Sequence, residues 1–255
     1  MLLEIEQASK RFGGIQAVRD CSFGVEEGTI TGLIGPNGAG KTTLFNLVTG
    51  FHPLDSGRVY FKGEDITELP PNEIFHKGLF RTFQIVRGYE DMTVLESLLI
   101  MPVQQIGENF WNLWIKGSKI EEQEKKFTKK AIEVLEFLEM ADRKEELARN
   151  LPGGEKKLLD LGRMMMADPD LVLLDEPGAG VPPSLQHKVN DYIERISDEN
   201  NTTFFVVEHD MNVIMNLCDP IIVVVEGTNL TSGSPEEIKS NQEVIEAYLG
   251  EEEKV

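Results

Sequence analysis

The chain has 255 residues, 40% of them hydrophobic, which is enough for one large domain or two modest ones with a packed core. Its 44 acidic and 25 basic residues give a net charge of −19, which argues against a nucleic-acid binder and gives no support to direct binding of anionic lipid. Cys21 and Cys218 are far apart and belong to no C-x-x-C pair, so we expect two inert core thiols. We expect no signal peptide, and the longest aliphatic run, Ile221–Val225, is too short to cross a bilayer.

The first part of the chain reads as strands followed by a helix. Residues 2–7 alternate and predict a strand, residues 21–25 predict a second, and residues 29–34 predict a short buried one. The apolar side chains at 44, 47 and 48 then share one face of a helix predicted over residues 41–49. Another strand is predicted over residues 57–61.

The remainder alternates between helices and strands. Pro70 and Pro71 start a short helix, residues 93–149 are mostly helical in character, and a helix follows Gly154 to about residue 167. The later elements are predicted as a strand at 171–174, a helix at 183–200, a strand at 202–207, a helix at 210–218 and a strand at 220–225. This alternation implies a parallel α/β sheet, with the helical stretch as an inserted subdomain.

The most informative segment is residues 35–43, which match the phosphate-binding pattern G-x-x-x-x-G-K-[ST] between a predicted strand and a predicted helix. Its members are Gly35, Pro36, Asn37, Gly38, Ala39, Gly40, Lys41, Thr42 and Thr43. Glycines let the backbone N–H groups point at phosphate oxygens, Lys41 can reach the β- and γ-phosphates, and Thr42 can offer its hydroxyl to Mg²⁺. The alternative is a glycine turn in a core, but the strand and helix on either side favour a nucleoside triphosphate site.

A second group of polar residues follows buried strands. Asp175 and Glu176 end the apolar run 171–174, at the edge of the sheet where ligands of open α/β folds bind. Asp175 suits Mg²⁺, and Glu176 suits a general base that polarises an attacking water. Gln84 and His209 follow apolar stretches in the same manner, so either could touch the γ-phosphate, Mg²⁺ or the water. Taken alone, His209 could equally be a capping or core histidine.

Residues 151–155 precede the helix that leads to Asp175. Gly153 and Gly154 could offer free N–H groups to an anion. On local chemistry alone, an ordinary glycine-containing entry turn is the favoured interpretation.

These elements, in this order, resemble the nucleotide-binding subunit of ABC transporters over essentially the whole chain. The resemblance implies a Walker A loop at 35–43, a Walker B strand with its catalytic glutamate at 171–176, and a signature motif at 151–155. It also implies that Gln84 is the Q-loop glutamine, His209 the switch histidine and Phe12 the aromatic ring that stacks on adenine. A core phenylalanine near a turn is the alternative for Phe12.

Finer features resemble the branch that takes up branched-chain amino acids. These are residues 11–18, 207–211 and the tail from 233 to 250. Urea and amide importers share much of this pattern. Two positions depart from the family pattern, because Pro152 replaces the usual serine of the signature motif and Pro182 replaces the usual Asp or Asn of the D-loop.

The resemblance implies an α/β phosphate-loop NTPase fold with a mostly parallel sheet, an N-terminal antiparallel β portion and an inserted helical subdomain. We predict one ABC ATPase domain over residues 1–255, with the nucleotide-binding core at 1–87 and 166–255 and the helical subdomain at 88–165. ATP and Mg²⁺ are the implied cofactors, with Lys41, Gln84, Glu176 and His209 catalytic and Thr42, Gln84 and Asp175 at the metal.

The implied partners are a second ATP-binding subunit (a second copy or a related chain), membrane permease subunits and, indirectly, an extracytoplasmic solute-binding protein. The implied location is cytoplasmic, on the inner face of the cell membrane. Two alternatives stay open: a soluble ABC-type ATPase that acts outside transport, and a low-activity regulatory subunit suggested by Pro152 and Pro182. A small-molecule kinase is less favoured, because it would not explain residues 151–155 and His209 together.

Overall fold

The computed structural model describes residues 1–82, 90–103, 105–106, 117–179 and 182–252. The strands are β1 (Leu3–Phe12), β2 (Ile15–Val25), β3 (Ile30–Ile34), β4 (Ser56–Phe61), β5 (Glu64–Asp65), β6 (Leu79–Arg81), β7 (Leu171–Asp175), β8 (Thr203–Val207), β9 (Ile221–Val225) and β10 (Thr228–Gly233). The helices are α1 (Lys41–Val48), α2 (Pro71–His76), α3 (Val94–Leu99), α4 (Gly117–Phe137), α5 (Gly153–Ala167), α6 (Pro183–Asn200), α7 (Met211–Leu217), α8 (Pro235–Ser240) and α9 (Gln242–Glu252). Short 3₁₀ turns lie at Ala141–Arg143 and Ala148–Asn150.

Two sheets are present, and their hydrogen-bonding patterns differ. The first is antiparallel, with strand order β2-β1-β4-β5, and the second has the order β10-β9-β3-β8-β7-β6. In the second sheet all neighbours are parallel except β10, which runs antiparallel to β9. The central strands β3, β8 and β7 are continuous apolar runs that are almost wholly buried, as expected of strands covered on both faces. The predicted fold class is therefore confirmed.

The N-terminal hairpin is longer than predicted. The first strand does not stop at Gln7 but continues to Phe12, and the second begins at Ile15 rather than Cys21. A register shift between Ile5 and Ala8, together with a φ of 48° at Gln7, interrupts the alternation of buried and exposed side chains. A β-bulge thus explains why the period-two pattern ended early.

The helical segment predicted over residues 93–149 is interrupted. Helix α3 ends at Leu99, and residues 101–103 are not helical. Pro102 favours this end, because proline cannot continue a helix. Strand β10 was also missed by sequence reasoning, since it is polar and only partly buried along its length.

A large buried cluster is built from the antiparallel sheet, α1 and one face of the second sheet. Phe45 of α1 packs against Phe205 of β8 with 5.1 Å between the ring centroids, and Phe23 of β2 lies 5.7 Å from the same ring. The cluster fixes α1 on the sheet and so positions the loop that precedes it. Both cysteines are buried as predicted, and burial raises the pKa of the Cys21 thiol to about 11.

Contacts divide the chain into two compact units. The first comprises Met1–Gln84, Asp170–Gly178 and Ile193–Val255, and the second comprises Ile85–Pro169 and Ala179–Tyr192. In the second unit α3, α4 and α5 pack together, and Gly162 of α5 permits the close approach because a Cβ there would meet Leu98 and Val134 at 3.2–3.3 Å. In the part of the chain that the structure describes, none of the helices combines the length and the apolar character needed to span a bilayer.

Candidate functional site

The loop between β3 and α1 has the geometry of an anion-binding helix entry. Gly40 is the N-cap residue with a φ of 101°, a left-handed conformation that glycine adopts without strain. No side chain caps the helix, so the first-turn N–H groups are directed toward the loop. A Cβ at Gly40 would lie 2.5 Å from the carbonyl oxygen of Ala17, so only glycine fits where the loop passes β2.

The side chain of Lys41 folds back over this loop. Its Nζ donates to the carbonyl oxygens of Gly35 at 2.6 Å and Pro36 at 3.0 Å. Thr42 is exposed at the first turn of α1, and Thr43 is half-buried. Asn37 and Gly38 are exposed at the tip of the loop. A lysine charge, the backbone N–H groups of the first helical turn and the positive end of a helix dipole therefore converge on one small volume, which suits a polyphosphate.

The buried Ala39 anchors the tip of this loop to the sheet. Its N–H donates to Pro36 O at 3.1 Å, and its carbonyl oxygen accepts from Gly227 N at 3.0 Å. The loop is thus held from both sides before any ligand arrives.

The acidic pair lies at the same edge of the sheet as the loop. Leu33 of β3 is in register with Val207 of β8, and Val207 is in register with Asp175 of β7. Adjacent strands lie ~4.8 Å apart, so Asp175 and Leu33 are separated by about 10 Å across the sheet. The carboxyl ends of β3, β7 and β8 therefore place the loop and the acids on one rim.

Glu176 follows β7 in an unusual backbone conformation. Its φ is 50°, and its N–H donates to the carbonyl oxygen of Val207 at 2.9 Å. A positive φ at a non-glycine residue is strained and persists only where the surroundings enforce it. The backbone therefore leaves the extended conformation of β7 at Glu176.

The structure brings Glu176 and His209 together. His209 Nδ1 lies 3.7 Å from Glu176 Oε1, and the imidazole is 67% exposed. Each residue follows a strand, as the sequence pattern predicted, and the structure shows that the two strands, β7 and β8, are neighbours. An imidazole at this distance from a carboxylate can orient it or exchange a proton with it when a ligand draws the pair closer.

Glu208 is a buried acid that sequence reasoning did not single out. Its side chain is 2% exposed, with Oε1 accepting from Gly178 N at 2.9 Å and Oε2 accepting from His209 N at 3.3 Å. Burial raises the pKa of this carboxyl, and the two N–H donors oppose the shift. Glu208 thereby ties the turn after β7 to the turn that carries His209.

Arg81 is a second buried charge that the sequence interpretation passed over. It closes strand β6, and its Nη2 donates to Asp175 Oδ2 at 2.9 Å. The available signal was an arginine within the apolar run that precedes Gln84. Gln84 itself lies outside the described residues, so its predicted roles stay predictions.

Phe12 stands at the end of β1 with 41% of its surface exposed. The ring of His52 meets it edge-on at 5.2 Å, and Lys10 Nζ lies 5.6 Å from its centroid. Lys10 is held in turn by Asp55, whose carboxyl pKa is lowered chiefly by the hydrogen bond from that ammonium group. The structure thus presents a braced aromatic face to solvent rather than a core phenylalanine.

The glycine-rich turn at 151–155 belongs to the second unit. Helix α5 begins at Gly153, with Pro152 as an N-cap residue that makes no side-chain hydrogen bond. A Cβ on Gly154 would overlap Leu185, whereas one on Gly153 would meet nothing within 4 Å. Glu155 in the first turn faces Arg143 at 3.5 Å, and this carboxylate is the main cause of the raised pKa of Arg143.

The structure describes the D-loop, residues 178–183, except for residues 180 and 181. Pro182 is exposed, and its carbonyl oxygen accepts from Leu185 N at 2.9 Å and Gln186 N at 3.0 Å. It therefore caps the start of α6 with its backbone alone, where the family pattern has a polar side chain.

Fold and site together define an ATPase cassette of the phosphate-loop class. A family model described as "ABC transporter" matches residues 18–179, and a model described as "Branched-chain amino acid ATP-binding cassette transporter" matches residues 229–254. The chain belongs to the ABC transporter family, and it is an ATP-binding ATPase cassette of that family.

Named relatives extend this match over nearly the whole chain. The chain is 41% identical to a probable branched-chain amino acid transport ATP-binding protein LivG of Archaeoglobus fulgidus, covering 98% of this chain and 95% of that protein. It is 38% identical to the high-affinity branched-chain amino acid transport ATP-binding protein BraF of Pseudomonas aeruginosa, covering 98% of each.

Solved structures agree with the fold. A nucleotide-free ATP-binding cassette from an ABC transporter has a TM-score of 0.82 at 37% identity, covering 97% of this chain and 98% of its own. The ADP conformation of the ATP-binding cassette MJ1267 has a TM-score of 0.81 at 35% identity, covering 98% of both chains.

Proposed function

We propose that this chain hydrolyses ATP to power an importer of branched-chain amino acids. The observation that carries the proposal is the 41% identity, over 98% of the chain, to a protein named for branched-chain amino acid transport. The match of residues 229–254 to the model named for the same branch supports it independently, because that segment lies outside the general ABC transporter match.

Within this function, the loop at 35–43 binds the triphosphate of ATP and Phe12 stacks on adenine. Lys41 Nζ already lies over the loop, so phosphate oxygens can replace the carbonyl oxygens of Gly35 and Pro36 as its acceptors. The exposed ring of Phe12, braced by His52 and Lys10, suits a planar base.

The donor set near the loop fits Mg²⁺. Thr42 offers a hydroxyl and Asp175 a carboxylate, and a hard cation of this size takes a few protein oxygens alongside phosphate and water. Gln84 is the third proposed ligand. When bound, Mg²⁺ would neutralise charge on the phosphates.

Glu176 acts as the general base in this proposal, and His209 orients it. The carboxylate polarises an attacking water and takes up its proton. The imidazole of His209, whose Nδ1 lies 3.7 Å from Glu176 Oε1, keeps the carboxylate in the orientation that this step needs. Lys41 stabilises negative charge on the phosphates during transfer.

Two ATP-binding subunits are proposed to face head to tail, with ATP between the loop of one and Gly153 and Gly154 of the other. The partner is a second copy or a related chain. Closure on ATP and release after hydrolysis would move membrane permease subunits, which receive solute from an extracytoplasmic binding protein. The chain would work in the cytoplasm, on the inner face of the cell membrane.

The division into a nucleotide-binding core at 1–87 and 166–255 and a helical subdomain at 88–165 stays a prediction.

Reconstitution tests this function. The chain is reconstituted with candidate permease and solute-binding proteins from the same genome, and ATP hydrolysis is measured in proteoliposomes. Stimulation by binding protein loaded with leucine, isoleucine or valine, but not by urea, supports the proposal. Stimulation by urea alone reassigns the solute. Equal hydrolysis with and without the membrane partners would favour an ATPase outside transport, and negligible hydrolysis throughout would favour the regulatory role suggested by Pro152 and Pro182.

A further inference from the structure

The guanidinium of Arg81 connects three elements that surround the proposed metal site. Nη2 donates to Asp175 Oδ2 on β7 at 2.9 Å, while Nη1 donates to Asn46 Oδ1 at 2.6 Å and to Thr49 Oγ1 at 3.3 Å. Asn46 lies in α1 and Thr49 caps its end, so one side chain of β6 joins the phosphate-loop helix to the acidic strand.

Strand register explains how Arg81 reaches this carboxylate. Arg81 pairs with Leu173 on the parallel strand β7, and Leu173 and Asp175 are two residues apart. Side chains of register partners, and of residues two apart, project from the same face of a sheet. Arg81 and Asp175 therefore share the face that α1 covers.

The ion pair is buried rather than a surface contact. The side chain of Arg81 is 8% exposed and that of Asp175 11%. The guanidinium carbon lies 5.7 Å from the ring centroid of Phe45 and 6.0 Å from that of Phe51. A planar guanidinium stacks on aromatic rings better than an ammonium group does, so this position favours arginine over lysine.

The two oxygens of Asp175 are used unequally. Oδ2 accepts from Arg81, whereas Oδ1 makes no hydrogen bond with any other residue that the structure describes. A carboxylate held through one oxygen cannot rotate freely, so its second oxygen keeps a fixed direction.

We propose that Arg81 is a positioning residue for the metal site, holding Asp175 by Oδ2 so that Oδ1 is presented to Mg²⁺ or to its bound water. The bond to Asn46 holds α1, and hence Thr42, in the matching position. This inference rests on the proposed metal role of Asp175 and adds a residue to which no role has been assigned.

The alternative is an ion pair that only stabilises the fold. The second unit supplies a matched control, since Arg163 Nη1 donates to Asp160 Oδ1 at 2.8 Å and its side chain is also 8% exposed. Arg163→Met removes a buried guanidinium in the same manner, and no proposed function involves it.

The test measures binding of a non-hydrolysable ATP analogue to the full-length chain by titration calorimetry, in EDTA and over a series of Mg²⁺ concentrations. Arg81→Met is expected to leave affinity in EDTA within about 2-fold and to lower the Mg²⁺-dependent gain in affinity about 10-fold, the scale of a hydrogen bond to a charged group. Arg81→Lys keeps the charge but loses the fork, so it is expected to fall between wild type and Arg81→Met.

Steady-state kinetics give a second readout. The Mg²⁺ concentration for half-maximal hydrolysis is expected to rise about 10-fold in Arg81→Met. Arg163→Met is expected to lower the melting temperature without moving either Mg²⁺ dependence. Melting of each apo variant separates misfolding from a local defect, and Arg81→Lys keeps the comparison available if Arg81→Met unfolds.

Three outcomes overturn the inference. The first is an unchanged Mg²⁺ dependence in both Arg81 variants. The second is an equal shift in Arg163→Met, which makes the effect one of general stability. The third is tighter Mg²⁺ binding in Arg81→Met, which makes Arg81 a competing charge rather than a positioning group.

Asp175→Asn tests the proposed metal role of Asp175 separately from the role of Arg81, because the gain in ATP affinity from Mg²⁺ should be lost in this variant. If it is not, the metal role of Asp175 fails and the inference fails with it.

Discussion

Helices α1 and α5 both begin at glycine-rich turns, one in each compact unit. Their first turns offer the same backbone N–H groups but carry side chains of opposite charge, Lys41 in α1 and Glu155 in α5. Neither Gly40 nor Pro152 caps its helix through a side chain, so both ends present backbone N–H donors and the positive end of a helix dipole. The first turn of α1 contains no acid and starts with Lys41. The first turn of α5 contains Glu155, paired with Arg143.

This difference separates a complete anion site from a partial one. At α1 a lysine, a dipole and the loop donors converge, so the end can hold a polyphosphate by itself. At α5 the dipole and the N–H groups favour an anion, while the nearby charge of Arg143 is paired with Glu155. A phosphate there needs positive charge from elsewhere, which a second subunit's lysine would supply in the proposed head-to-tail pair.

The largest expected effect comes from replacing the proposed general base, a change that leaves both helix ends intact. Glu176→Gln is expected to lower kcat by about 10²- to 10⁴-fold, the range of general-base contributions, while ATP still binds. The variant should accumulate as a closed dimer in ATP, measured by phosphate release and light scattering.

The control for this variant is Glu226→Gln. Glu226 is an exposed glutamate that shares a positive φ with Glu176, here 49°, and it lies in the turn after β9. It should hydrolyse ATP like wild type, and turnover at the wild-type rate in Glu176→Gln would remove Glu176 from its proposed role.

The second prediction removes the charge that makes the α1 end complete. Lys41→Ala is expected to weaken ATP binding by roughly 10- to 150-fold, because a hydrogen bond to a charged group contributes ~1.5–3 kcal/mol. Titration calorimetry measures the dissociation constant. Lys125→Ala, which removes an exposed lysine paired with Glu121 at 2.7 Å, should bind ATP as wild type does. An unchanged constant in Lys41→Ala contradicts the phosphate role of its ammonium group.

The third prediction concerns the glycines at the α5 end. Gly154→Ala is expected to reduce stability by about 1–3 kcal/mol, because its Cβ overlaps Leu185 and overpacking costs this much. Gly153→Ala has open space and should be neutral or slightly stabilising. Urea unfolding of the two variants measures the contrast, and equal effects would show that the turn does not pack as described.

The smallest expected effect comes from adding a side-chain cap to α5, which neither helix end has in the structure. Pro152→Ser places a hydroxyl at the N-cap with Glu155 three residues later, which is the pattern of a capping box. Pro152→Ser is expected to be more stable than Pro152→Ala by about 0.5–2 kcal/mol, the usual contribution of an N-cap serine over alanine.

Pro152→Ala is the matched control in urea unfolding, because it lacks the hydroxyl. We also expect Pro152→Ser to tighten nucleotide-driven dimerisation in a Glu176→Gln background. Sizing by light scattering that shows no change would count against that part of the hypothesis.

Sequence patterns predicted the elements whose signals are local. The strand, glycine loop and lysine helix at 29–49 lie within a few residues of the expected bounds, and α6 matches its predicted range. Elements whose partners are distant were predicted less well. The bulge at Gln7 interrupts the alternation that would have indicated the second half of β1. Strand β10 has a polar sequence, so only its pairing with β9 identifies it as a strand.

The sequence by itself determined the phosphate-binding loop, the apolar strands that lead to Asp175 and His209, and the order of helices and strands, because periodicity and glycine chemistry act over a few residues. Only the tertiary structure decided that Arg81 bonds Asp175 across 94 residues of sequence, that Glu208 ties Gly178 to the turn of His209, and that Glu176 adopts a positive φ. Strand register and burial set these contacts, and register depends on packing between segments far apart in the chain.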